Sequence, residues 1–257
     1  MIALLSPAKT LDMECDIPSV KTTSVRFKKE TKVLAEILKT KSSDEIGKMM
    51  KLSQKLSDLN YERFQEYKQP HLKSKSQPAG YAFRGDVYLG LDIDTMSQNE
   101  VLYAQDNIRM LSGFYGLLRP LDEIMAYRLE MGTKLENPAG KNLYEFWGSA
   151  ISTQINKDLK DHKDKTVINL ASGEYSKAVK VDDLAGDFLQ IDFKEQKGSE
   201  FVMRGFYAKK ARGAMARWIS QNQPQNPQDL QGFDSMDYKF NKKLSTIDKY
   251  VFTRKHP

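Results

Sequence analysis

The sequence predicts an α+β fold: a single compact domain with a mixed central sheet surrounded by helices and a helical lobe. Three observations predict it. The 257 residues suffice for one full core. Short apolar runs alternate with helical stripes without a strict βαβ rhythm. No repeat or long linker divides the chain, and the one Pro/Gln-rich stretch, 221–227, is too short to separate domains.

The elements follow in order. Residues 2–5 read as a short buried strand ending at Ser6-Pro7. Residues 24–40 read as a helix with Val33, Leu34, Ile37 and Leu38 on one stripe. Ser42 or Ser43 can cap the next helix, because Asp44 and Glu45 load its first turn with acid. That helix runs to about Lys51, and another follows with Leu52, Leu56, Leu59, Phe64 and Tyr67 at helical spacing. Residues 24–67 form the helical lobe, and 68–79 a loop. Residues 81–90 read as strand, turn and strand, 97–107 as helix and 108–111 as strand, leading into an irregular loop over 112–120. Residues 141–160 read as one helix, 166–171 as a buried strand, and 187–193 and 200–207 as further strands. A helix over 209–222, a last strand over 249–254 and a basic tail over 239–257 complete the chain.

One Cys and three His exclude a zinc ribbon, a cysteine-ligated cluster and a disulfide framework, and no metal site or cofactor is expected. Spacing gives no support to a carboxylate site built from Asp86, Asp122, Glu130, Glu145 or Glu174. His71, His162 and His256 lie in loops, a charged turn and the tail, not where a general base is placed. There is no apolar run of membrane-helix length and no leader with a signal core, so a reduced cytoplasmic protein is expected.

Net charge is +6, but it is segregated. Residues 21–75 carry +7, 201–218 carry +5 with no acid, and 239–257 carry +5, against −11 elsewhere. Segregation of this kind points to an anionic partner. On the helix from Lys209, steps of about 100° put Lys210, Arg212 and Arg217 around one side. Gly213 falls in the middle of that cationic face, where a small residue would admit a phosphate backbone. The helix pair in 43–67 is joined by Lys51-Leu52-Ser53-Gln54, and Lys48, Lys51 and Lys55 cluster there, as in helix–hairpin–helix modules that grip DNA phosphates; the usual hairpin glycines are missing. Ser6-Pro7-Ala8-Lys9-Thr10 and Asn169-Leu170-Ala171-Ser172-Gly173 each follow a strand and bear groups that hold phosphate; neither is a Walker A loop, and the second lacks a nucleophile elbow's spacing.

Several blocks resemble a known family. Leu4–Asp12, Gly85-Asp86-Val87-Tyr88, Arg109–Gly113, Leu118–Asp122, Tyr127–Gly132, Val167–Ser172 and Phe206–Gly213 are similar, in order, to the YaaA peroxide-stress family. The resemblance implies protection from hydrogen peroxide by limiting unincorporated iron. It also implies binding of double-stranded DNA through a basic cleft and a helix–hairpin–helix-like element, for which 43–67 is the candidate. It supplies no catalytic residues.

The leading expectation is therefore a monomer that binds DNA phosphates through Lys9, Lys48, Lys51, Lys55, Arg109, Lys209, Lys210, Arg212 and Arg217. The alternative is an enzyme acting on a nucleotide or modified nucleobase, which requires a pocket joining Ser6, Lys9, Arg109, Asn169 and Ser172. Direct iron sequestration is a third reading, and the scarcity of Cys and His weighs against it.

Overall fold

The computed structural model describes residues 1–255; His256 lies outside the described residues. In chain order the elements of the first half are β1 Ile2–Leu5, β2 Thr10–Leu11, β3 Thr23–Ser24, α1 Lys28–Lys39, α2 Ser43–Met50, α3 Gln54–Glu66, β4 Ser76–Pro78, α4 Ala79–Ala82, β5 Phe83–Arg84, α5 Asp86–Leu91, α6 Gln98–Asn107, β6 Ile108–Ser112, β7 Gly116–Leu118 and β8 Asp122–Met125. The second half holds α7 Leu143–Trp147, α8 Ala150–Leu159, β9 Val167–Asn169, α9 Gly173–Ser176, β10 Phe188–Lys197, β11 Glu200–Val202, α10 Gly205–Asn222, β12 Lys239–Phe240 and β13 Lys249–Lys255.

The fold is α+β with a mixed sheet, as expected, and its centre is more regular than the sequence suggested. The main sheet runs β12-β13-β10-β9-β1-β6-β7, with β11 paired to β10. Its five middle strands are all parallel, and antiparallel strands occupy only the margins. Burial on both faces explains why β1 and β9 are buried at every position rather than alternating. From β1 the chain passes to β6 on one side, then returns to β9 on the other. The segments leaving the carboxyl ends of β1 and β9 therefore diverge, and a crevice opens between them.

The helical lobe shares its core with the sheet: Leu34, Leu38, Ile46 and Phe64 belong to the same buried cluster as Ile2 and Leu4. A capping box between Ser42 and Glu45 starts α2, and Lys51 ends it in the left-handed conformation. Val33, Leu56 and Leu59, assigned to apolar stripes, are exposed, while Thr31 and Ala35 take the inner face of α1.

Other expectations are corrected. Residues 81–90 are mainly helical, with Val87, Tyr88, Gly90 and Leu91 buried and Leu89 exposed. That burial follows a helical period, so tertiary packing overrides the strand preference of Tyr, Phe and Val. The expected helix over 141–160 is two, because Gly148 at φ 46° ends α7. The irregular loop over 112–120 contains β7, and the loop over 68–79 contains β4. The strand expected over 200–207 stops at Val202, and α10 begins at Gly205 rather than at 209.

Gly213 is the sharpest correction. It is buried, and a Cβ there would run into the Val87 carbonyl and the Leu91 amide of α5. Gly90 makes the reciprocal approach to the Lys210 carbonyl and the Ala214 amide of α10. The glycine serves a close helix–helix contact, so no phosphate backbone reaches α10 through it.

Candidate functional site

The crevice at the carboxyl ends of β1 and β9 is a cleft of about 480 Å³. Its floor is Ser6 to Thr10 after β1 and Ser172, Glu174 and Tyr175 after β9. Arg84 to Tyr88, at the start of α5, forms one wall, and Glu130 with Lys209 and Arg212 of α10 forms another. Ligands of open parallel sheets bind at such switch points, because the diverging loops leave groups from several segments facing one space.

Short contacts fix the floor. The Ser172 amide donates to Ser6 Oγ at 2.9 Å, the Ser6 hydroxyl donates to Ser172 Oγ at 3.4 Å, and the Tyr88 hydroxyl donates to the Ser6 carbonyl at 3.0 Å. Lys9 Nζ meets Glu130 Oε2 at 2.8 Å, and Lys209 Nζ lies 3.9 Å from Asp86 Oδ2. Glu174 accepts the Gly132 amide at 3.0 Å. Burial, helped by nearby Tyr127, Glu174 and Glu130, pushes the Tyr175 phenol well above its ordinary range. It stays neutral at physiological pH and offers a proton rather than a charge.

The expected site residues divide sharply. Ser6, Lys9, Ser172, Lys209 and Arg212 meet in this cleft. Arg109 and Asn169 do not. Arg109 is 4% exposed, with Nε 2.6 Å from Asp158 and Nη1 on the Gln105 and Ile108 carbonyls. Asn169 is 2% exposed and holds Gln190 and the Ala171 amide. Arg217 clamps the left-handed end of α5 through the Asp92 carbonyl and carboxylate. Lys210 is exposed, next to the cleft but outside its lining.

A general difference between arginine and lysine underlies this division. Eight of the ten arginines lie within 4.0 Å of a carboxylate; Arg63 and Arg212 are the exceptions among the described residues. Among the described residues five of the thirty lysines do so. The planar, weakly hydrated guanidinium suits inward pairing, whereas the ammonium stays in water.

Lys48, Lys51 and Lys55 are exposed and without carboxylate partners among the described residues. They surround the α2–α3 turn, where Ser53 leaves the first amides of α3 without a side-chain cap. Gly47, inside α2, lets that helix approach Ser57 of α3. The close packing comes from a helix glycine rather than from glycines in the hairpin.

Beside the cleft, Arg84 also lines an acidic groove with Asp12, Glu14, Cys15, Asp16 and Asp94. Burial pushes the Cys15 thiol up, and Asp12 and Asp94 add to this against Arg84. A thiol held protonated is a poor nucleophile. Cys15 should therefore react with iodoacetamide at pH 7 several-fold more slowly than free cysteine, measured by mass spectrometry; a faster reaction would contradict this. Among the described residues no three or more His, Cys, Asp or Glu side chains are arranged to hold a metal ion. His71 and His162 lie off the cleft: His71 faces the Glu123 carbonyl, and His162 Nδ1 lies 3.1 Å from the amino terminus. No helix among the described residues is long and apolar enough to cross a membrane.

Comparison with known proteins identifies the family. A UPF0246 protein of Idiomarina loihiensis is 46% identical over 254 residues, covering 99% of this chain and 98% of the relative. A UPF0246 protein of Saccharophagus degradans is 45% identical over 255 residues, covering 99% of this chain and 100% of the relative. The family model described as peroxide stress protein YaaA matches residues 1–244, which include both strand ends of the cleft and all of α10. The chain belongs to the YaaA family of peroxide stress proteins.

Proposed function

We propose that the protein is a cytoplasmic DNA-binding protein that holds duplex phosphates and limits iron-dependent oxidative damage. The carrying observation is the α2–α3 turn: three exposed lysines, without carboxylate partners among the described residues, beside a helix start whose amides lack a side-chain cap. Lysines of this kind displace condensed cations from a duplex. Ferrous iron is among the cations so displaced, and displacing it removes the peroxide reaction from the strand without any iron site in the protein.

The test is a binding titration with duplex DNA across salt. Affinity should fall steeply with salt, and K48A/K51A/K55A should lower the slope by about 0.9 per lysine. A flat salt response, or an unchanged slope in the triple variant, would refute the reading. In cells challenged with hydrogen peroxide, the triple variant should protect less than the wild-type chain.

A further inference from the structure

We propose that the cleft between β1 and β9 is a second, separate site that binds a nucleoside monophosphate, with its phosphate on Arg212. Arg212 is half-buried, shares only with Arg63 the lack of a carboxylate within 4.0 Å among the described residues, and has an Nε that is buried without a hydrogen-bond partner. Its Nη2 donates to Met203 Sδ at 4.0 Å. Burial lowers its affinity for a proton, and Asp192 opposes this from a distance. A desolvated guanidinium with open donors gains most from an oxyanion, which it holds by charge-assisted hydrogen bonds. Lys209 and Lys9 stand on the same cleft, their exposed ammonium groups beside the half-buried Asp86 and Glu130, and a phosphate competes with those carboxylates for them.

The remaining walls select what the phosphate is attached to. Asp86, Glu130 and Glu174 also line the cleft. A continuous polyanion is repelled by three carboxylates, whereas a single nucleotide meets them with its amino and hydroxyl donors. Val87, Tyr88 and Tyr175 supply apolar surface for a planar base. The 480 Å³ volume lies in the small-molecule range and is too small for a duplex. The same chemistry is offered by a free nucleotide and by the phosphorylated 5′ end of a strand.

Calorimetry with the full chain tests the proposal, using the four deoxynucleoside 5′-monophosphates, ribose 5-phosphate and inorganic phosphate. At least one nucleotide should bind more tightly than ribose 5-phosphate or phosphate. R212K and A8F, the latter filling the cleft beside Ala8, should each weaken it about tenfold or more, while K210A leaves it unchanged. Unchanged melting of R212K and A8F shows that a loss is not unfolding. A further arm compares an oligonucleotide with and without a 5′-phosphate: preference for the phosphorylated end over the free nucleotide assigns the site to strand ends, and the reverse to free nucleotides. No binding of any nucleotide, equal affinity for inorganic phosphate, or indifference to both R212K and A8F would overturn the proposal. The K48A/K51A/K55A titration is independent of it, so an unchanged salt slope in that variant with nucleotide binding intact refutes only the α2–α3 reading.

Discussion

Replacing Asp158 by Ala should destabilise the protein by about 3–5 kcal/mol, seen as a lower urea midpoint. Asp158 joins two arginines that come from opposite ends of the first half of the chain. Its carboxylate takes Arg26 Nη1 at 2.5 Å and Arg109 Nε at 2.6 Å, with side-chain exposures of 16% for Arg26, 5% for Arg109 and 10% for Asp158. Without it, two neighbouring guanidiniums repel each other, and Arg109 keeps a buried charge with only carbonyl partners. Burial pushes the Asp158 carboxyl up, but the charges of Arg109 and Arg26 and their hydrogen bonds push it below its ordinary range by more. A folded pKa below the unfolded one contributes stability that is fully present above the unfolded value, 3.8, and is lost as pH falls through the folded value. Asp158→Asn should therefore cost stability at pH 7 and flatten the acid limb below about pH 4. An acid limb identical to wild type would show that the carboxylate is not charged in the folded protein.

The same triad shows where sequence reading succeeds and where it stops. Strand β1 was legible because an apolar run of four cannot be half-exposed, and α2 because Ser-Ser-Asp-Glu can start little else. Ser6, Lys9 and Ser172 were legible as one candidate pocket because both segments follow buried strands. Arg109 was misplaced for the same reason: it also sits in a strand, but its partner Asp158 lies 49 residues away on another element. Charge blocks count cations without their partners. In the block over 201–218, Arg204 approaches the buried Glu195 and Arg217 is held by Asp92, which leaves Lys209 and Arg212 on the cleft and Lys210 outside its lining. Residue type carried a signal that net charge did not, since lysines stay in water while arginines pair inward. Two other lining residues, Asp86 and Glu130, were beyond reach from spacing, because the fold brings them to the cleft on separate segments, the start of α5 and the stretch after β8.

Gly213→Ala should destabilise the protein by about 3 kcal/mol, and the sign of the effect is the informative part. On an exposed cationic face, the same change would remove a flexible residue from a helix interior and stabilise it by up to about 1 kcal/mol. The structure instead puts Gly213 against the Val87 carbonyl, with Gly90 facing the Lys210 carbonyl in return. Two backbones meet with no side chain between them, and neither a carbonyl nor an amide can rotate aside as a side chain end can. An added methyl must drive α10 away from α5. Asp86 begins α5, and Lys209 and Arg212 ride on α10, so the same displacement pulls the two walls of the cleft apart. Urea melts should thus show a lower midpoint for G213A and for G90A, and the double variant should cost less than the two singles combined, because the first methyl already opens the contact. A midpoint raised by G213A would place that residue on the surface and remove the contact that holds the cleft's cationic wall in register.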